Sequence, residues 1–271
     1  MTLVAPAPTM TSPVPTFDVM GVPVSAIDPC EAEAAIEAWV ASGARQYVCI
    51  TGVHGVIESR TDPVLRRSFR NAGLVTPDGM PLVWTAWLRG LVRVRRVYGP
   101  DLMLSMSGTR AGPGLRHYYY GGGSGVAERL RDRMLRHNPS LLVVGCDTPP
   151  FRALTRDEEA TMLATINAAR PDILWIGLST PKQDLWMHRY RDRLDVPVIV
   201  GVGAAFDFLS GTKKQAPHWL RGTGFEWVFR LISEPRRLFT RYVYIVPPFS
   251  LFLLKESLRA SLKTVIKCFV A

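Results

Sequence analysis

Phosphate binding is the chemistry that this chain offers most clearly. Residues 174–184 run from a buried apolar strand through a Gly/Ser/Thr turn into a helix at Pro181. Proline suits the first helical position, where its missing N–H costs nothing. The turn leaves free backbone N–H groups at the carboxyl end of a strand, where α/β proteins bind phosphates, and Lys182 adds positive charge. The alternative is an ordinary helix start capped by Ser179 or Thr180.

Three further polar side chains follow predicted strands. Asp78, in Thr76-Pro-Asp-Gly79, could remove a proton from a hydroxyl group, or could simply be a turn residue. His54 follows the strand that ends at Thr51 and could bond a sugar hydroxyl or a phosphate, although an isolated histidine is often structural. Asp207, beyond the last strand, could orient a ligand hydroxyl or cap a helix.

Two glycine turns also follow predicted strands, at Gly121-Gly-Gly-Ser-Gly125 and at Gly201-Val-Gly203. Glycine permits a ligand to approach the backbone closely, but both turns could equally be structural. Neither has the G-x-G-x-x-G spacing of a dinucleotide site, and the sequence contains no P-loop. An NAD(P)-dependent oxidoreductase is therefore a weaker alternative. The sequence also lacks Asp-x-Asp, the carboxylate pair that commonly holds a divalent ion under a nucleotide diphosphate. We therefore expect a site without metal or cofactor, in which helix N-termini and basic side chains neutralise a leaving diphosphate.

The elements that must position these groups alternate regularly. Strand-length apolar runs alternate with helical patterns over residues 17–210, which predicts an α/β, Rossmann-like core with a mainly parallel sheet flanked by helices. Residues 56–71 read as one helix. Residues 1–16, rich in Pro, Thr and Ala, predict a flexible leader. Residues 211–271 predict a basic helical appendage, whose last two helices are separated at Pro247-Pro248.

Positive charge is concentrated in the predicted appendage. The chain has a net charge of +10, and residues 211–271 contain eleven Lys/Arg against three Glu. Lys255, Arg259, Lys263 and Lys267 recur every four residues among aromatic and aliphatic side chains, which favours a membrane surface over a solvated face. A non-enzymatic basic scaffold on membrane or nucleic acid is a second alternative. No apolar run reaches the roughly 18–20 residues of a spanning helix. The four scattered cysteines suggest a reducing cytosol.

Together these motifs resemble the bacterial glycosyltransferase family WecG/TagA/CpsF. The matching segments stand in order as Thr76-Pro-Asp-Gly79, Arg96-Val-Tyr-Gly-Pro-Asp-Leu-Met103, Ile173-Leu-Trp-Ile-Gly-Leu-Ser-Thr-Pro-Lys-Gln-Asp184, Gly201-Val-Gly-Ala-Ala-Phe-Asp-Phe-Leu-Ser-Gly211, Gly224-Phe-Glu-Trp-Val-Phe-Arg230 and Glu234-Pro-Arg-Arg-Leu238. Two departures are visible. Thr51-Gly-Val-His54 stands where many relatives have Thr-x-Asn, so this segment is expected to influence the choice of sugar. Asp184 stands where relatives usually have glutamate.

The resemblance implies an inverting, metal-independent hexosyl- or N-acetylhexosaminyltransferase of cell-surface polysaccharide synthesis. It implies a UDP-sugar donor and a polyprenyl-diphosphate-linked acceptor. It also implies a cytoplasmic enzyme held peripherally at the inner face of the plasma membrane, with a tendency to self-associate. An anionic membrane is then the expected partner of the basic appendage, rather than nucleic acid. Asp78 matches the proposed general base. Local chemistry and the resemblance together predict these substrate-binding residues: Thr51, His54, Gly121, Gly122, Gly123, Thr180, Pro181, Lys182, Gln183, Gly203, Asp207, Arg221, Arg230, Arg237 and Arg241.

Overall fold

A computed structural model describes residues 14–108 and 114–270, apart from the side chains of Arg237 and of residues 262–270. Most of the predicted leader therefore lies outside the described residues. Its last residue, Thr16, already belongs to the first strand, so the ordered chain begins slightly earlier than expected.

The centre of the protein is a six-stranded sheet in which all strands are parallel. Its order is β4-β3-β8-β7-β5-β6. A separate antiparallel hairpin, β1–β2, turns at Met20 and Gly21, which both have positive φ. The strands are β1 (Thr16–Val19), β2 (Val22–Ser25), β3 (Gln46–Thr51), β4 (Leu74–Pro77), β5 (Arg116–Gly121), β6 (Leu142–Asp147), β7 (Ile173–Gly177) and β8 (Val198–Gly201).

Helices cover both faces of this sheet, as the sequence predicts. They are α1 (Pro29–Ser42), α2 (Val53–Glu58), α3 (Pro63–Asn71), α4 (Met80–Leu88), α5 (Gly99–Met106), α6 (Val126–His137), α7 (Arg156–Ala169), α8 (Lys182–Tyr190), α9 (Ala205–Leu209), α10 (Glu226–Ser233) and α11 (Pro235–Val270). Short 3₁₀ turns lie at Arg191–Arg193 and His218–Leu220.

The alternation of side chains along each strand produces two hydrophobic cores. Leu174 and Ile176 of β7 pack into one core, and Ile173 and Trp175 pack into the other. Successive side chains of a strand point to opposite faces, so a strand buried on both faces must be apolar throughout. This explains why the central strands appear in the sequence as continuous apolar runs.

Two helix predictions are wrong in their boundaries. The pattern over residues 56–71 is two helices, because Asp62 accepts hydrogen bonds from the N–H groups of Val64 and Leu65 and begins a new helix at Pro63. The predicted separation at Pro247-Pro248 is absent, and α11 continues through both prolines. A proline inside a helix removes one hydrogen bond but does not always end the helix.

The C-terminal helices pack against the sheet domain. Leu238, Ile245 and Phe249 of α11 are buried. Arg89, just after α4, donates to Glu256 of α11 with an Nε–Oε2 distance of 2.6 Å. The division of the chain at residue 211 stays a prediction, but α11 shares the core that α2 and α4 cover.

Candidate functional site

A cavity of about 580 Å³ opens at the carboxyl ends of the parallel strands. The loops after β3, β4, β7 and β8 form its floor, and α10 and α11 form part of its wall. Parallel α/β sheets place their ligand sites at this edge, because the strand ends and helix N-termini converge there. The cavity therefore lies where the sequence predicted polar groups to gather.

Asp78 lies on the cavity wall immediately after β4. Its backbone N–H donates to the carbonyl oxygen of Thr51 at 2.9 Å, which ties the ends of β3 and β4 together. Thr51 itself is buried and does not line the cavity, so it supports Asp78 through its backbone.

Arg96 connects Asp78 to the C-terminal segment. Its Nη2 lies 3.3 Å from Asp78 Oδ1, and its Nε donates to the Asp78 carbonyl oxygen. The same guanidinium donates to both carboxylate oxygens of Glu226 in α10 and lies 4.0 Å from the ring centre of Tyr98. Neither Arg96 nor Glu226 is among the residues predicted from the sequence to bind substrate or to act in catalysis. The sequence did contain a signal for both residues, because Arg96 lies in the family-like segment 96–103 and Glu226 lies in the family-like segment 224–230.

The pKa of Asp78 is raised, mainly because burial disfavours the charged carboxylate. Arg96 and Arg230 oppose the shift, and Glu226 adds to it. About a third of the side-chain surface (35%) remains open. A carboxylate with a raised pKa binds a proton more readily once ionised, which suits a general base.

The turn before α8 contributes Ser179 and Thr180 to the cavity, and the first turn of α8 contributes Gln183. Ser179 has a φ of 64°, a left-handed conformation that is uncommon outside glycine, and the Thr180–Pro181 peptide is cis. Gln183 is 2% exposed, and among the described residues its Oε1 has no hydrogen-bond partner. A buried amide oxygen without a partner is costly, so a ligand donor is the expected partner.

Other predictions for this turn are corrected. Pro181 precedes the helix instead of occupying its first position, and neither Ser179 nor Thr180 caps it with a side chain. Lys182 is exposed, and neither Lys182 nor Pro181 lines the cavity. Their contact with a ligand stays a prediction.

His54 lies in α2 on the cavity wall, with Nε2 3.4 Å from Glu58 Oε1. Burial, followed by the charges of Arg241 and Arg230, lowers the pKa of His54 to about 4. The imidazole is therefore neutral near pH 7 and can both donate and accept a hydrogen bond, as a sugar hydroxyl requires.

Basic side chains from the C-terminal segment enter the same cavity. Arg230 of α10 and Arg241 of α11 line it, as does Lys214, which the sequence analysis passed over. Arg221 donates to the carbonyl oxygen of Ala216 at 2.8 Å and does not line the cavity. Arg237 lies in α11, but its side chain is outside the described part of the structure.

Gly203 lines the cavity in a left-handed conformation with φ of 52°. Asp207 lies nearby, with Oδ2 3.3 Å from Lys213 Nζ. That lysine also lies 3.3 Å from Glu234 Oε1, so Asp207 belongs to an ion-pair chain that reaches the end of α10. A ligand hydroxyl would share the carboxylate of Asp207 with Lys213.

The triple glycine turn after β5 does not line the cavity. Gly121 has a φ of 133°, and a Cβ there would lie 2.7 Å from the Gly177 backbone. At Gly122 a Cβ would lie 2.8 Å from the Val126 side chain. Packing thus accounts for Gly121 and Gly122, and the contact of Gly121, Gly122 and Gly123 with a ligand stays a prediction. Within residues 14–108 and 114–270, no group of three or more His, Cys, Asp or Glu is placed to hold a metal ion.

The parallel sheet and its strand-end cavity, lined by a carboxylate and several cations, are typical of an α/β enzyme. Comparison with known proteins identifies the reaction class. The chain belongs to the glycosyl transferase WecG/TagA/CpsF family, whose model matches residues 17–263. It is therefore a glycosyltransferase.

Two curated relatives have the name N-acetylglucosaminyldiphosphoundecaprenol N-acetyl-beta-D-mannosaminyltransferase. The one from Bacillus spizizenii (strain ATCC 23059 / NRRL B-14472 / W23) is 28% identical over 76% of this chain and 77% of its own length. The one from Bacillus subtilis (strain 168) is 27% identical over 69% of this chain and 70% of its own length. The resemblance derived from the motifs is confirmed.

Proposed function

We propose that this glycosyltransferase moves a sugar from a UDP-sugar to a polyprenyl-diphosphate-linked acceptor, with inversion and without a metal ion. The observation that carries the proposal is the position of Asp78. A partly open carboxylate with a raised pKa faces the same cavity as the cations Arg96, Arg230, Arg241 and Lys214. This combination provides a proton acceptor beside a binding site for a diphosphate.

The proposed reaction is a direct displacement. Asp78 takes the proton of the acceptor hydroxyl, the hydroxyl oxygen forms a bond to the anomeric carbon, and the bond from that carbon to the UDP oxygen breaks. Attack from the face opposite the leaving group inverts the anomeric centre. The electron pair leaves with UDP, and Arg230, Arg241 and Lys214 stabilise the additional negative charge. Neutral His54 and the unpaired oxygen of Gln183 can bond sugar or nucleotide groups.

The acceptor is inferred from the relatives. Both are named for transfer to an undecaprenyl-diphosphate-linked N-acetylglucosamine, so we infer an acceptor of this kind for the present chain. Such a lipid is presented by a membrane. None of the helices described in residues 14–108 and 114–270 is long and apolar enough to cross one.

A peripheral attachment through the C-terminal segment, at the cytoplasmic face, is the arrangement that we propose. Exposed apolar side chains there include Trp219, Ile232, Phe239 and Val243. Basic residues of the same segment would attract anionic headgroups. The tendency to self-associate stays a prediction.

Replacing Asp78 with asparagine tests the catalytic proposal. Asp78→Asn preserves the shape of the side chain but cannot accept the proton, so we expect transfer to fall by about 10²–10⁴-fold. UDP release from a panel of UDP-sugars, including UDP-N-acetylmannosamine, would be measured with a polyprenyl-diphosphate-linked N-acetylglucosamine acceptor.

The matched control is Asp157→Asn, an exposed position in the first turn of α7. It should keep wild-type turnover. Near-normal turnover of a folded Asp78→Asn variant would remove Asp78 as the base. Absence of UDP release by the wild type with every donor would overturn the proposed donor.

A further inference from the structure

An apolar groove of about 550 Å³ lies on the surface between α4 and α11. Its walls are aromatic and aliphatic side chains of two helices, with one small polar residue at the far end. They are Trp84, Trp87, Leu88, Leu253, Leu254 and Ser257.

The groove adjoins the candidate active site. Trp84 and Leu253 line both the groove and the larger cavity. Along α11 the cavity wall changes character, from Arg241 to Ile245, Phe249 and Leu253. The apolar residues that follow Arg241 along α11 on the cavity wall therefore extend to Leu253, which the groove shares.

Large apolar surface is left open to solvent in this groove. Trp84, Trp87 and Leu254 are 36%, 40% and 57% exposed. Contiguous exposed apolar surface of this kind commonly marks a binding site. The ion pair between Arg89 and the buried carboxylate of Glu256 holds the two helices together beside the groove, so its walls are fixed.

We propose that this groove holds the first isoprenoid units of the acceptor while its diphosphate lies among the cations of the cavity. The inference rests on the proposed function. The expected occupant is apolar and is attached to an anionic group inside the cavity, because Trp84 and Leu253 line both the groove and the cavity. A polyprenyl diphosphate has this chemistry, because its apolar chain is attached directly to an anionic diphosphate.

Kinetics with two acceptors test the proposal. The acceptors have the same sugar diphosphate but either a long polyprenyl chain or a short, water-soluble one. Assays in nonionic detergent micelles make membrane recruitment irrelevant. Leu254→Gln should raise KM for the long-chain acceptor about tenfold, because apolar contact along the chain is lost. KM for the short-chain acceptor and for the donor should stay unchanged.

Leu251→Gln is the matched control, because Leu251 is similarly exposed (61%) in the same helix but does not line the groove. Leu251→Gln should leave KM unchanged for both the long-chain and the short-chain acceptor. Equal effects of the two substitutions, or no effect of Leu254→Gln on the long-chain acceptor, would overturn the proposal.

Photo-crosslinking separates this inference from the proposed function, since it needs no turnover. A polyprenyl diphosphate with a diazirine near the head of its chain should label the α4 or α11 peptides that contain Trp87 or Leu254. Leu254→Gln should reduce this labelling. Absence of labelling there overturns the proposal, and so does labelling confined to other surfaces or to residues 1–13. If the wild type transfers no sugar but labels the groove, the catalytic proposal fails and the groove assignment stands.

Discussion

At the scale of single residues, the pKa of Asp78 depends on its burial and on the charged side chains around it. Burial raises the pKa of this carboxyl, Arg96 and Arg230 lower it, and Glu226 raises it. Arg96 contacts both carboxylates, so one guanidinium partly offsets the effect of burial on the pKa of the proposed base and also links α10 to the strand ends. The basicity of Asp78 is therefore a property of a group of side chains from three parts of the chain.

Two substitutions should move the pH profile of transfer in opposite directions. The base must be deprotonated, so kcat/KM should fall as pH falls through the raised pKa of Asp78. Arg96→Gln removes a nearby positive charge, raises this pKa further and should shift the acidic limb to higher pH. Glu226→Gln removes a negative charge and should shift the limb to lower pH.

The measurement is kcat/KM across the acidic range for each variant. Arg136→Gln serves as control, since Arg136 is exposed at the end of α6, outside the cavity lining, and should leave the limb in place. Shifts of the same sign for Arg96→Gln and Glu226→Gln would contradict this account of the base.

At the scale of elements, the start of α8 combines a site turn with a buried carboxyl. Asp184, in the first turn, is 0% exposed. Burial raises its pKa from 3.8 to about 6. The folded protein thus binds this proton more tightly than the unfolded chain does.

The free energy of unfolding should therefore fall as pH rises from 3.8, the ordinary pKa of Asp184, to about 6, its pKa in the folded protein. The contribution of Asp184 is least unfavourable below about pH 4 and most unfavourable above about pH 6, a change on the order of 2–3 kcal/mol in the free energy of unfolding. Asp184→Asn removes this titration. The stability of the variant relative to wild type should increase by that amount from acidic to neutral pH.

Urea unfolding at a series of pH values measures the difference. The control is again Asp157→Asn, an exposed first-turn position in α7 for which no comparable pH-dependent gap is expected. If the free energies of unfolding of Asp184→Asn and wild type differ by a constant amount at every pH, Asp184 does not titrate between pH 3.8 and about 6.

At the scale of the whole molecule, positive charge and exposed apolar surface are both concentrated in the C-terminal segment. Residues 211–271 have eleven Lys/Arg against three Glu, and helices α10 and α11 present Ile232, Phe239 and Val243 to solvent. The same segment places Arg230 and Arg241 in the cavity. Membrane attachment and completion of the active site would therefore use the same helices.

Charge reversal on this surface should weaken binding to anionic vesicles. Arg236 is exposed in the first turn of α11, and Arg236→Glu should reduce binding on the order of tenfold at low salt. The effect should diminish as salt increases and be absent with neutral vesicles. Vesicle sedimentation provides the measurement.

Arg136→Glu makes the same charge change on α6, which packs beside β5 and β6 at the other side of the sheet from β4. It should have little effect on vesicle binding. Equal weakening by both substitutions would show that net charge, and not the surface of α11, determines the association.

Local patterns predicted much of this fold. Strand β7 was predicted because a strand buried on both faces must be apolar throughout, and its residues form such a run. The prediction that two helices are separated at Pro247-Pro248 was wrong. Proline locally favours a break in a helix, but α11 packs against the core and continues through both prolines.

The sequence by itself determined the sheet, the strand-end location of the polar groups and the family, because these depend on local periodicity and on contiguous motifs. Only the tertiary structure decided which of these groups share one cavity. It brings Asp78, His54, Gln183 and Arg230 together and leaves Lys182 outside. The physical reason is that sequence spacing does not specify which strand ends lie side by side, or which way a side chain points after a turn. Strand order and helix packing set both.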